Sequence, residues 1–293
     1  MFPDNNWYSH KEILNKYIKK NIKTFYASVQ HGSITHSYDK NFGRILFPFI
    51  KYLVWNKKAY KICKKNGYEN AEIIGAPFIY LDKLMKSQKF IINKNSYLIF
   101  IPHSGEVAPS DGFHHEKFIN YAKKNFKGSL TACFFYKDIN KNLTKLYKKH
   151  KIKIFSCGKR NNKKYLFSLY KQMRIHENVV ITLLGSPLFY SLYLNKKTFF
   201  LRDFTPPLTP KKFGTQERKY QVKYNFLYKY LPKNYKVDAI KGKKLADEEL
   251  GVKFLKDKKS LKKLLYSKNF FIKFYTEICK FLIYIKWKNK LIN

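Results

Sequence analysis

The sequence predicts an α/β protein. Eight short runs rich in Val, Ile, Phe and Tyr recur from residue 24 onward, and longer segments with apolar residues at helical spacing lie between them. The hydrophobic content, 45% with 18% aromatic residues, is too high for a disordered chain despite the charge. Strands trading places with helices in this way mark a layered α/β architecture.

In chain order the expected strands are 24–29 (TFYASV), 52–55 (YLVW), 71–74 (AEII), 97–101 (YLIFI), 129–136 (SLTACFFY), 152–155, 179–182 (VVIT) and 197–201 (KTFFL). The expected helices are 57–66, 114–126, 140–149, 161–175 and 186–195. The polar stretch 86–96 (KSQKFIINKNS) reads as a linker, which divides the 293 residues near position 90. Residues 1–90 then form a small first domain, 91–250 a second, and 251–293 a helical tail. The prolines of TPPLTP, 205–210, break the alternation, and 215–230 reads as one more helix. Near the C-terminus Phe271, Phe274, Ile278, Phe281, Leu282 and Ile285 step by three and four, with Lys273, Lys280, Lys286, Lys288 and Lys290 elsewhere around the helix. Such a basic amphipathic helix docks either on the protein's own core or on an anionic membrane surface.

Sixty Lys and Arg against 19 Asp and Glu give a formal charge of +41. This field attracts nucleic acid, anionic lipid or nucleotide phosphate. Arginine stands only at 44, 160, 174, 202 and 218, leaving 55 lysines. The abundance of Lys with Asn, Ile, Tyr and Phe has the look of an AT-rich coding bias, and the chain has no aromatic-basic motif of a nucleic-acid module. Cys63, Cys133, Cys157 and Cys279 are scattered without a CxxC pair or a nearby His at ligand spacing, which argues against a structural zinc and for a reducing, cytoplasmic setting. No P-loop, GxGxxG, GxSxG, HExxH or DxD motif is present, so the chemistry expected is metal-independent and needs no bound cofactor.

Ligands of open α/β sheets bind at the carboxyl ends of strands, which singles out four places. His31 and Gly32 follow FYASVQ, where an imidazole can accept a proton near neutral pH, or can simply satisfy a loop carbonyl. Pro102, His103, Ser104, Gly105 and Glu106 follow YLIFI, which reads as a phosphate-binding turn or an ordinary polar turn, with Glu106 a base or a partner of a ribose hydroxyl. Cys157 and Gly158 follow IKIF, with Gly158 expected to let a nucleotide base approach closely. Gly185 and Ser186 precede Pro187 at a helix start, suited to an anion or to a plain N-cap.

The runs WYSHKEIL, VQHGSI, AYKICKKNGYENAEIIGAPFIYLDKL, IPHSGEV and VVITLLGSPLFYSLYLNKKTFF resemble GT-B glycosyltransferases of bacterial capsule, O-antigen and lipooligosaccharide loci. QHGSIT and ITLLGS are more distantly similar to polyol-phosphate transferases of teichoic-acid synthesis. The resemblance covers about residues 7–255 and implies two Rossmann-like domains facing a cleft, the first one small, with a nucleotide-sugar donor held by the second. It further implies His31 as the general base with Glu106 second, and His103, Ser104, Gly105, Gly185 and Ser186 around the leaving phosphate. The acidic residue usual a few positions into the donor helix is replaced by Tyr190, Ser191 and Tyr193. The expected partners are a nucleotide-sugar and a glycan or lipid-linked glycan acceptor, at the cytoplasmic face of the inner membrane. Transfer of a polyol phosphate, and nucleic-acid or glycan binding without catalysis, are the rival readings.

Overall fold

The computed structural model describes residues 3–33, 51–65, 67–102, 113–182, 184–204 and 236–266, together with Phe274 and Ile278. The expected helices at 215–230 and, apart from those last two residues, at 271–285 lie outside the described residues.

Among the described residues the named strands form two parallel sheets. The first consists of β1 (Ala27–Val29), β2 (Lys51–Val54) and β3 (Ala71–Ile73), hydrogen-bonded in that order. The second contains β4 (Asn93–Phe100), β5 (Ser129–Cys133), β6 (Lys153–Phe155), β7 (His176–Ile181) and β8 (Lys197–Phe200), in the order β6-β5-β4-β7-β8. Strand order therefore reverses between β4 and β7, where Phe100 is paired with Cys133 on one side and Ile181 on the other. In parallel α/β sheets this reversal opens the crevice that receives ligands.

Around the strands lie α1 (His10–Tyr17), α2 (Lys57–Lys65), α3 (Pro77–Met85), α4 (His115–Asn125), α5 (Lys141–Lys149), α6 (Tyr165–Ile175), α7 (Ser186–Tyr193), α8 (Ala239–Leu250) and α9 (Lys258–Leu265). Alternate strand residues face opposite layers. Leu98, Val179 and Ile181 join a core with residues of α1, α3, α6 and α7, whereas Ile99 and Val180 pack with Phe118, Ile119 and Tyr147 of α4 and α5. The first of these cores also contains Val29, Leu53 and Trp55 of the small sheet, so one apolar layer of helices is shared by both sheets. The small sheet's outer face is covered by α2 through Ala59 and Cys63.

Each of the eight expected strands meets a strand, with shifted ends. β1 starts at Ala27 because the amide of Tyr26 is already donated to Leu265 O, 3.0 Å away. β5 stops at Cys133 because Tyr136–Asp138 turn into a 3-10 segment. The stretch read as a linker is shorter than expected. Asn93–Ser96 are the first half of β4, with Ser96 buried and its carbonyl accepting from Asn178 Nδ2 at 3.1 Å. Between α3 and β4, Phe90 packs on the core with the Arg174 guanidinium 5.5 Å from its ring centre.

After residue 236 the chain returns to the first sheet. α8 lies against α7 and ends at Gly251, whose left-handed backbone (φ 67°) brings it under the β2–α2 turn. The Leu250 carbonyl accepts from Ala76 N at 2.8 Å, and Asn56 Nδ2 donates to Glu249 O at 2.6 Å. Tyr80 hydroxyl then accepts from Lys256 N at 3.0 Å, and Leu261 and Leu265 of α9 are fully buried.

A Cβ at position 251 would lie 1.8 Å from Trp55 O, so neither the backbone angle nor the space admits a side chain. Gly251→Ala is expected to lower the unfolding free energy by about 2–4 kcal/mol, read from urea denaturation.

Candidate functional site

The carboxyl ends of the two sheets meet at one contact. Ser186, the first residue of α7, accepts a hydrogen bond at Oγ from Ser33 N (2.9 Å) and donates one to Ser33 Oγ (3.2 Å). The turn carrying His31, Gly32 and Ser33 is thereby joined to the turn carrying Gly185 and Ser186. Ser186 does not cap its helix; Gly185 occupies the cap position without a side-chain bond. Tyr190, one turn on, stacks on Phe78 with ring centres 3.9 Å apart.

Gln30 aims this turn. Its backbone N–H donates to Leu53 O (2.9 Å), its side-chain Oε1 accepts from Trp55 N (3.0 Å), its Nε2 donates to Gly32 O (2.7 Å), and its carbonyl accepts from Trp55 Nε1 (3.0 Å). Gln30 and Trp55 are both buried, so each polar atom of the amide is matched where water is excluded. On the open edge of β1, Asn5 mimics a further strand: its Nδ2 donates to Ala27 O (2.7 Å) and its Oδ1 accepts from Val29 N (2.8 Å).

The N-terminal segment supplies the walls. Tyr8 and Ser9 take consecutive left-handed conformations, φ 55° and 63°, a strained arrangement for residues with a Cβ. Two bonds to the β6–α6 loop hold it: Tyr8 N–H to Arg160 O at 2.6 Å and Ser9 Oγ to Asn162 O at 3.0 Å. Trp7 then meets His31 edge-on, ring centres 5.3 Å apart, and Tyr8 stacks over it at 6.5 Å. Burial, and after it the positive charge of Arg160, hold the His31 imidazole down to about 4, so it is neutral at neutral pH. His10 lies behind it, fully buried, with neither ring nitrogen hydrogen-bonded; burial and then His31 hold it down to about 3.

The other sequence-expected positions divide. His103, Ser104, Gly105 and Glu106 lie outside the described residues. At Gly32 a Cβ would lie 3.7 Å from Ser186 Oγ, an ordinary contact, and Gly185 is equally roomy. Gly158 has a backbone reason for glycine, φ 79°, and donates its N–H to Ser156 Oγ at 3.1 Å. Cys157 is buried beside Cys133, and their mutual hydrogen bond followed by burial keeps its thiol well above the ordinary range, unsuited to a nucleophile. Tyr190 and Ser191 are core residues, Ser191 donating to Leu188 O at 2.7 Å, while Tyr193 donates to Asp82 Oδ2 at 3.0 Å. These three positions of α7 therefore serve packing and internal hydrogen bonding.

Arg160, Gln30 and His10 were not singled out from sequence as site residues. A signal existed for the first, because arginine is rare in this chain and Arg160 follows a strand end. Among the described residues no group of three His, Cys, Asp or Glu side chains gathers as a metal centre would require, and no helix is long and apolar enough to cross a membrane. An open depression of about 860 Å3 runs along α5 past Asn140, Lys141, Thr144, Lys145 and Lys148. It holds no imidazole, carboxylate or thiol.

Gln30→Leu removes the amide that binds Trp55 N and Gly32 O, and a loss of about 2–4 kcal/mol is expected in chemical denaturation. The buried imidazole makes a second expectation. His10 binds its proton less readily folded than unfolded, so stability is whole above pH 6.5 and declines as pH falls from there toward about 3. His10→Phe should remove roughly 3 kcal/mol of that acid-side loss, measured by denaturation at pH 7 and pH 4.

No protein-family model matches the chain, and no curated protein matches it.

Proposed function

We propose that the chain is a metal-independent glycosyltransferase that moves a sugar from a nucleotide-activated donor to the hydroxyl of a surface-glycan acceptor. The observation that carries this reading is the Ser33–Ser186 contact, which sets a histidine-bearing turn of one parallel sheet against the first turn of α7, beside the strand reversal of the other. A neutral His31 accepts the proton of the acceptor hydroxyl as that oxygen attacks the anomeric carbon. The bond from that carbon to the donor phosphate breaks, and the phosphate leaves with the electron pair. Its growing charge is met by the amino end of α7, where the helix dipole is positive. A lipid-linked acceptor on an anionic membrane suits the charge of +41.

The test is release of free nucleotide from a panel of UDP-, GDP-, CMP-, CDP- and ADP-linked donors with product analysis. One donor class is expected to be consumed. His31→Ala should lower turnover by about 10²–10⁴, and unchanged turnover removes the assignment of His31. Phosphate in the product marks polyol-phosphate transfer instead. Binding without consumption of any donor refutes the enzyme reading.

A further inference from the structure

Arg160 carries a positive charge that no described residue neutralises. Its guanidinium sits between two rings, 5.6 Å from the centre of Trp7 and 5.4 Å from that of Phe135. Its Nε is buried without a hydrogen-bond partner. The ion pairs among the described residues use Lys58, Lys64, Lys197 and Lys243, and Arg160 is in none of them. Aromatic faces offset only part of the cost of taking a cation from water, and a partly buried charge without an anion is otherwise avoided in folded proteins.

The position is built. The strained turn at Tyr8 and Ser9 is bonded to the carbonyls of Arg160 and Asn162, which seats the indole of Trp7 against the guanidinium. The same indole lies edge-on to His31, so one ring connects the unmatched cation with the imidazole. A lysine would not replace Arg160 here, because only the planar, weakly hydrated guanidinium both stacks between rings and presents a fork to an oxyanion.

We propose that Arg160 is the receptor for a phosphate-bearing ligand, its guanidinium fork held open for two phosphate oxygens by the Trp7 and Phe135 rings. Under the glycosyl-transfer reading, on which the identity of the ligand rests, this phosphate belongs to the nucleotide donor. Binding it has a second effect at His31. Among the described residues, the charged and titratable groups at that imidazole include Arg160, His10 and Tyr8, with Trp7 at its edge, and of these Arg160 repels a proton by fixed charge. A phosphate on Arg160 cancels that repulsion, so the base gains proton affinity when the leaving group is in place.

Calorimetric titration of the full chain with inorganic pyrophosphate, inorganic phosphate and nucleoside diphosphates, at about 150 mM salt to screen the surface lysines, tests this directly. Arg160→Gln should weaken pyrophosphate binding by about 10- to 100-fold, with Arg160→Lys between it and the unaltered chain. Lys145→Ala, on the exposed face of α5, should leave the affinity unchanged. Equal affinity in a folded Arg160→Gln variant, or an equal loss in Lys145→Ala, overturns the proposal. Should the arginine variants fail to fold, the unaltered protein still decides. The His31 ring resonance should titrate at higher pH with pyrophosphate than without, and an unmoved titration overturns the site. Nucleoside diphosphate binding tighter than pyrophosphate assigns the ligand to a nucleotide donor; equal binding assigns it to a free oxyanion, and the site stands in both. Turnover is not the readout, so binding through Arg160 without consumption of any sugar nucleotide would refute glycosyl transfer and leave the phosphate site intact.

Discussion

A single buried amide holds the candidate site in place. Gln30 ends the first strand, where the ladder stops and two neighbouring backbones still need partners, and its side chain and carbonyl supply them to Trp55 and Gly32. A residue without an amide at this point would leave the buried Trp55 N unmatched, at a cost of about 1–3 kcal/mol, and would free the half-buried Gly32 O. With the bracket in place the next three residues leave the sheet in one direction. That direction takes Ser33 to Ser186 and the imidazole of His31 to the Trp7 ring. The turn that meets both the first turn of α7 and the N-terminal segment is thus aimed by one side chain.

Strands were legible because both sheets are parallel and covered on both faces, so their residues form unbroken apolar runs. The same covering hid α3, since Phe78, Ile79, Tyr80 and Leu81 are all buried and leave no polar side to set a helical period. Asn93–Ser96 read as a linker because their polar side chains bond neighbouring strands at the sheet's amino edge, as Ser96 Oγ does to Glu177 N at 3.1 Å. The return of α8 and α9 to the first sheet rests on contacts across about two hundred positions, such as Tyr17 Oη to Lys256 O at 3.2 Å, which local pattern does not encode. In the site, His31 and Ser186 were found through glycine and strand ends. Gln30 was read only as the end of a strand, because its importance lies in what it bonds across 25 residues.

Charge here has two scales. The excess of lysine is spread over surfaces in contact with water, where individual ion pairs such as Lys64 with Glu69 contribute little. Arg160 and the imidazoles of His31 and His10 form a small region where burial makes each charge count. The neutral state of both histidines at neutral pH follows from that burial and from the presence of a fixed cation, and it keeps the region's positive charge on the one residue suited to bind an oxyanion.

The lock formed by Gly251 under Trp55 and by Leu265 against Tyr26 also sets an order in time. The strands of the small sheet leave the ribosome early, but the residues that cover Tyr80 and satisfy Ala76 are made some 170 to 190 positions later. At elongation rates of 5–20 residues per second this is an interval of roughly 10 to 40 s in which an apolar face waits unsealed. During synthesis that face is one that a chaperone would shield.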